Sequence, residues 1–150
     1  MIKAGDRLTM SGLGEVTIGT PFATVLARGV VTKSECPTWR MNDQLRAEGV
    51  WVTVSENGVW RIQLTRPTYG TQSGAKDGMT VAGVKKIYGV GLKAETVNYL
   101  GGSRKALTIR SGPTMIVLLT DAWALADTDA VTAIGLKSND DYSVMVDGCA

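Results

Sequence analysis

Glu15-Val-Thr-Ile-Gly-Thr-Pro-Phe-Ala-Thr-Val-Leu-Ala-Arg-Gly29 reads as a short strand, a tight turn, a short helix and a glycine stop. Roughly sixty positions later, Ser73-Gly-Ala-Lys-Asp-Gly-Met-Thr-Val-Ala-Gly-Val-Lys-Lys-Ile-Tyr-Gly89 reads the same way. Each copy is followed by short runs of β-type sequence. A degenerate internal repeat therefore organises the chain. The expected fold is α+β, with two repeats at about 9–66 and 69–137, each a short helix packed on antiparallel β-sheet. A C-terminal tail over 138–150 completes a single domain 1–150.

The helices are punctuated in the sequence. In the first copy Thr20 is expected to cap, Pro21 to take the first helical position and Gly29 to supply the left-handed stop. Phe22, Val25 and Leu26 share one face. In the second copy Thr80 caps, Val81, Val84 and Ile87 share a face, and Gly89 stops. Helices this short are unstable alone, so each needs a sheet to pack on.

Gly49-Val-Trp-Val-Thr-Val-Ser-Glu-Asn-Gly-Val-Trp-Arg-Ile-Gln-Leu-Thr65 is a β-hairpin around Asn57-Gly58. A two-residue Asn-Gly turn puts Val52 and Val54 on the face of Arg61 and Gln63. A three-residue Glu56-Asn57-Gly58 loop with a glycine bulge pairs Ser55 with Val59. It gathers Val50, Val52 and Val54 with Trp60, Ile62 and Leu64, so one face becomes wholly apolar and this register is expected. Trp60 then belongs to the core and Trp51 points away from it. Between helix and hairpin, Thr32 to Glu48 reads as polar and irregular.

In the second copy strands are expected over 97–100, 106–110, 114–120 and 130–136. The run Met115-Ile-Val-Leu-Leu119 is continuously apolar and suits a central strand buried on both faces. Asp121 to Asp129 reads as a loop, and Asp140 onward as a short extended tail.

The chain has 150 residues, 44% of them hydrophobic, which is ample for a core. No apolar run approaches the roughly twenty residues needed to span a bilayer. A net charge of +2, with no Lys/Arg-rich helix and no aromatic RNA-binding signature, argues against a nucleic-acid partner. Charge is uneven, however. Residues 76–110 carry seven Lys/Arg against two acids, and 121–150 carry six Asp against one Lys. Two readings stay open: complementary faces of one solvated surface, or a basic patch for an anionic partner.

Histidine is absent. A Ser-His-Asp or Cys-His site is therefore impossible within these residues, and the commonest metal ligand is missing. No cofactor and no metal are expected. Gly12-Leu-Gly14 with Gly19 lacks the spacing of a phosphate-binding loop. Asp127-Thr-Asp129 and Asn139-Asp-Asp141 lack the calcium-loop spacing. No Glu sits in an apolar run that would raise its pKa. Of the two cysteines, Cys36 follows the first helix and Cys149 is penultimate. In an oxidising compartment they would pair, a long-loop bridge contributing about 4–5 kcal/mol in the chain-entropy treatment. In a reducing cell they would be separate thiols. The bridge is expected, because it gives a tail thiol an anchoring role.

The glycine-flanked strand, the Gly-Thr-Pro opening of the helix and the closing Val-x-x-Ile-x-Leu strands carry a resemblance. Ser11-Gly-Leu-Gly-Glu-Val-Thr-Ile-Gly-Thr-Pro-Phe22 resembles the opening of sigma-E-regulated bacterial envelope lipoproteins of unknown function. More distantly, the chain is similar to β-lactamase inhibitory protein and to the small lipoproteins of outer-membrane assembly. The resemblance implies an α+β fold, a periplasmic or secreted location and no catalysis. It departs from the lipoproteins in lacking a lipid-accepting Cys after a signal. Met1-Ile-Lys-Ala-Gly-Asp6 reads as an initiator Met joined to a mature domain, with the signal sequence absent.

Four Trp and four Tyr against one Phe favour side chains with a polar handle, the kind that anchors interfaces. Trp39, Trp51, Tyr69 and Trp123 fall in loops or on the outer face and are the candidate partner-binding residues. The leading expectation is a non-catalytic binding protein, inhibitor-like or envelope-associated, whose partner is another protein. A homo-oligomeric envelope assembly factor is the alternative. A hydrolase using carboxylates alone is a third reading, and it requires two acids roughly 5–10 Å apart in a cleft.

Overall fold

The computed structural model describes residues 1–33, 39–99, 102–122 and 124–139, with Trp39, Asn98 and Tyr99 described by their backbone. Three two-residue strands open the chain: β1 (Arg7–Leu8), β2 (Gly12–Leu13) and β3 (Val16–Thr17). Helix α1 (Phe22–Ala27) leads into β4 (Val31–Lys33), β5 (Trp39–Met41) and helix α2 (Asp43–Ala47). The hairpin β6 (Val50–Ser55) and β7 (Gly58–Leu64) follows, then β8 (Gly70–Thr71) and helix α3 (Val81–Tyr88). The last part is all strand: β9 (Lys93–Tyr99), β10 (Gly102–Ser111), β11 (Thr114–Thr120) and β12 (Val131–Ser138).

The result is a mixed α/β molecule, mostly sheet. A four-stranded sheet runs β3-β2-β1-β8, with β1 and β8 parallel. A six-stranded antiparallel sheet runs β6-β7-β12-β11-β10-β9, and β4 pairs with β5. The large sheet joins the first hairpin to the last strand through Ile134↔Leu64, Leu136↔Ile62 and Lys137↔Arg61. β11 lies inside it and is buried at every position. That is what an unbroken apolar run requires of a strand covered on both faces.

The hairpin keeps the expected register along its body: Val50↔Leu64, Val52↔Ile62 and Thr53↔Arg61. The extra residue, however, is not in the loop. Ser55 pairs with Gly58 and Val54 with Val59, so the turn is Glu56-Asn57 and the register shifts at Trp60. The physical reason lies outside the hairpin. The Val59 N–H donates to the Thr20 carbonyl at 2.9 Å, and the Gly19 N–H donates to the Val59 carbonyl at 2.6 Å. Val59 therefore enters the main core, and Trp60, buried, belongs to neither apolar cluster. Trp60 is buried as expected, but apart from the cluster that holds Ile62 and Leu64.

Thr20 is a second correction. Its hydroxyl accepts from the Thr17 N–H at 3.0 Å, and α1 starts after Pro21 without a side-chain cap. Thr80 does cap α3, accepting from the Gly83 N–H at 3.1 Å. The stretch expected to be irregular before the hairpin holds β4, β5 and α2. Asn42 caps α2, its side-chain oxygen accepting from the Gln44 and Leu45 N–H groups. Ser138 belongs to β12 rather than to a tail.

The main core draws Val25, Leu45, Val81 and Val84 from the three helices. They join Val52, Ile62, Leu64, Ile116, Leu118 and Leu136 from one face of the large sheet. A second cluster, Val97, Ala106, Met115, Val117, Leu119 and Ala133, occupies the opposite face.

Candidate functional site

That opposite face is the candidate site, and strand alternation builds it. From β6 it takes Trp51 and Thr53, which pair with Gln63 and Arg61 of β7. Gln63 and Arg61 in turn pair with Gly135 and Lys137 of β12. Trp51 is 43% exposed on the edge strand. The bulge leaves Val59 and Ile62 in the core and turns the two residues between them away from it. Trp60 and Arg61 stack as a result: the guanidinium carbon lies 5.0 Å from the indole centroid, a cation–π distance. Arg61 also donates to the Thr53 hydroxyl at 2.9 Å. The buried Trp60 indole N–H has no acceptor among the described residues.

The far edge of this face is ionic. Glu95 of β9 accepts from the Thr108 hydroxyl at 2.8 Å and from Arg110 Nη2 at 2.7 Å. The Thr108 hydrogen bond first, then Arg110, hold its carboxyl below the usual range against the opposing effect of burial. Arg104 donates to the Thr120 carbonyl.

The four aromatics read from the sequence do not converge. Trp51 stands exposed at one edge of this face. Tyr69 is a correction: it is 2% exposed and lies in the main core, not on a loop surface. Its hydroxyl donates to Glu48 Oε2 at 2.6 Å. Burial foremost, then that carboxylate, push its pKa up to about 12. Glu48 is lowered in return, by Tyr69 and then by Gln44. Trp39 begins β5, and Trp123 lies outside the described residues. Cys36 and Cys149 lie outside them too.

Two clefts lie among the described residues. One, of about 600 Å³, runs past Thr9, Ser11, Ile18 and Pro113 and has no charged side chain in its lining. The other, of about 480 Å³, contains Lys3, Arg28 and Glu48, with Tyr69 in its wall. Neither lining brings two carboxylates together among the described residues. No group of three or more Cys, Asp or Glu placed to hold a metal occurs among them either. No described helix is long and apolar enough to cross a membrane.

No family model, curated protein or solved structure matches the chain.

Two features escaped the sequence reading. Trp60 leaves the face of Ile62 and Leu64 only through the bulge, which accompanies the hydrogen bonds of Val59 with Gly19 and Thr20. Val90 stands fully exposed between Gly89 and Gly91, just after α3. An apolar residue framed by glycines was its available signal.

Proposed function

We propose that this chain is a non-catalytic binding protein of the bacterial envelope, periplasmic or secreted, whose partner is another protein. One observation carries the reading: Trp51 is a large aromatic, 43% exposed on an edge strand of the sheet. Trp is a favoured anchor of protein interfaces because it combines a wide apolar surface with a directed polar group. The charged far edge suits the polar rim such patches carry. The two-repeat organisation belongs to the same proposal. α1 and α3 each precede a glycine with positive φ, Gly29 at 67° and Gly89 at 56°. A Cys36–Cys149 bridge is part of it as well.

Photocrosslinking tests the binding site. A photoreactive residue replacing Thr53, next to Trp51 on the same face, is expected to give one discrete adduct in envelope extract. Excess native chain should abolish the adduct, and Trp51→Ala chain should compete at least about tenfold more weakly. Equal competition by the two chains refutes the site.

A further inference from the structure

The two edges of the six-stranded sheet are finished differently. At β6 the Val52 N–H donates to the Met41 thioether sulfur at 3.3 Å, so β5 lies against that edge. β9, at the other end of the sheet, pairs with β10 along one side. On its other side no backbone hydrogen bond reaches a described residue. Lys93, Ala94 and Thr96 are exposed there, and Glu95 is partly exposed. An open row of strand N–H and C=O groups is a template for another strand. Such edges are ordinarily blunted by a proline, a bulge, a short length or a cover. β9 is seven residues long, has no proline and keeps one unbroken register against β10.

The charges of this edge suit one occupant in particular. A lone lysine would repel a second copy of the chain. Here Lys93 and Glu95 stand two positions apart, on one face of the strand. A two-fold axis sets identical strands antiparallel, so that each contact occurs twice. With the axis at Ala94, Lys93 of each copy lies opposite the partner's Glu95. Moving the axis by one residue either way sets Lys93 or Glu95 against itself. Opposite charges directly across a strand pair attract and like charges repel, so charge selects the Ala94 register. Glu95 has an oxygen to spare. Thr108 and Arg110 both bond its Oε1, and Oε2 accepts from no described residue.

We propose that β9 is a self-association edge, where two copies of the chain pair antiparallel about Ala94 and join their large sheets into one. Two Lys93–Glu95 pairs then flank the axis. In this register Val90, the fully exposed residue just before β9, falls beside the far end of the partner's strand. Its exposure in the single chain thereby gains a use. Trp51 lies at the opposite end of the sheet and stays free for a different protein, so the two proposals stand or fall separately.

Sedimentation equilibrium of the chain and of two charge reversals tests it. The native chain is expected to dimerise reversibly. Lys93→Glu and Glu95→Lys should each raise the dimer dissociation constant at least about tenfold, because each puts two like-charged pairs beside the axis. An equimolar mixture of the two variants restores both opposite pairs. It should return the constant to within about threefold of the native value. A native chain that stays monomeric up to about 1 mM overturns the proposal. So does a dimer indifferent to both reversals, or one that the mixture fails to recover. If circular dichroism shows that Glu95→Lys does not fold, amide exchange of the native chain decides. Protection of residues 92–96 that rises with chain concentration supports the pairing, and exchange independent of concentration refutes it.

Discussion

Gly58 shows how much one residue can carry. Its φ is +95°, and a Cβ there would meet the carbonyl oxygens of Gly19 and Thr20 at 2.7 Å. These are backbone atoms, and both residues are tied to Val59, so neither can yield. Gly58→Ala is expected to destabilise by about 2–3 kcal/mol, read as a lower urea midpoint. Gly91→Ala, where a Cβ meets nothing, should change stability by less than about 0.5 kcal/mol. Tyr69 sets a pH dependence. Its folded pKa is raised from the ordinary 10.0 to about 12, so the neutral phenol is the stabilised form. That contribution is full below the unfolded value and is lost as pH rises from there through about 12. Tyr69→Phe should remove one phenolate step near pH 12 from an ultraviolet titration and cost about 1 kcal/mol. A titration curve unchanged near pH 12 would contradict the assignment. The Asn57-Gly58 signal was legible in the sequence. The contact that placed the bulge at Trp60 was not, because Gly19 lies 39 positions before Gly58 and touches it only in the fold.

Among the elements, the helix starts divide into two kinds. Asn42 and Thr80 hold the otherwise unsatisfied N–H groups of α2 and α3. Asn42→Ala and Thr80→Ala should each cost about 1 kcal/mol in chemical denaturation. Thr20 lies next to Pro21 in the same motif, but its hydroxyl serves the β3 turn through Thr17. Thr20→Ala should therefore leave α1 helicity, followed by amide exchange, unchanged relative to the loss seen at Asn42→Ala. β6, β7 and β12 could be read from their patterned strands, and β11 from its unbroken apolar run. α2 could not, because five residues complete barely more than one turn and show no period. The strands β1, β2, β3 and β8 have two residues each. They exist because the chain around them is held, not because of their own propensity.

For the whole molecule, exposure separates stability from recognition. Trp51→Ala removes a side chain that is nearly half exposed on an edge strand. It should shift the melting temperature by no more than a few degrees while weakening competition in the crosslinking assay. Loss of fold instead would place Trp51 in the core and refute its proposed role. Under oxidising purification, non-reducing mass measurement should find the intact chain two hydrogens lighter than its reduced form. Two free thiols would exclude the Cys36–Cys149 bridge. The sequence by itself determined the mixed helix-and-strand composition, the body register of β6 and β7, the buried central β11 and the Thr80 cap. Each depends on residues within a few positions of one another, where period and local hydrogen bonding suffice. Tertiary structure alone decided that β7 joins β12, that Tyr69 is internal while Trp51 is not, and that Arg61 and Lys137 meet across a buried face. Those outcomes depend on contacts between residues up to 76 positions apart, as Arg61 and Lys137 are. Nothing local in either sequence neighbourhood distinguishes a buried cation from a solvated one; only the opposing strand and what covers it do.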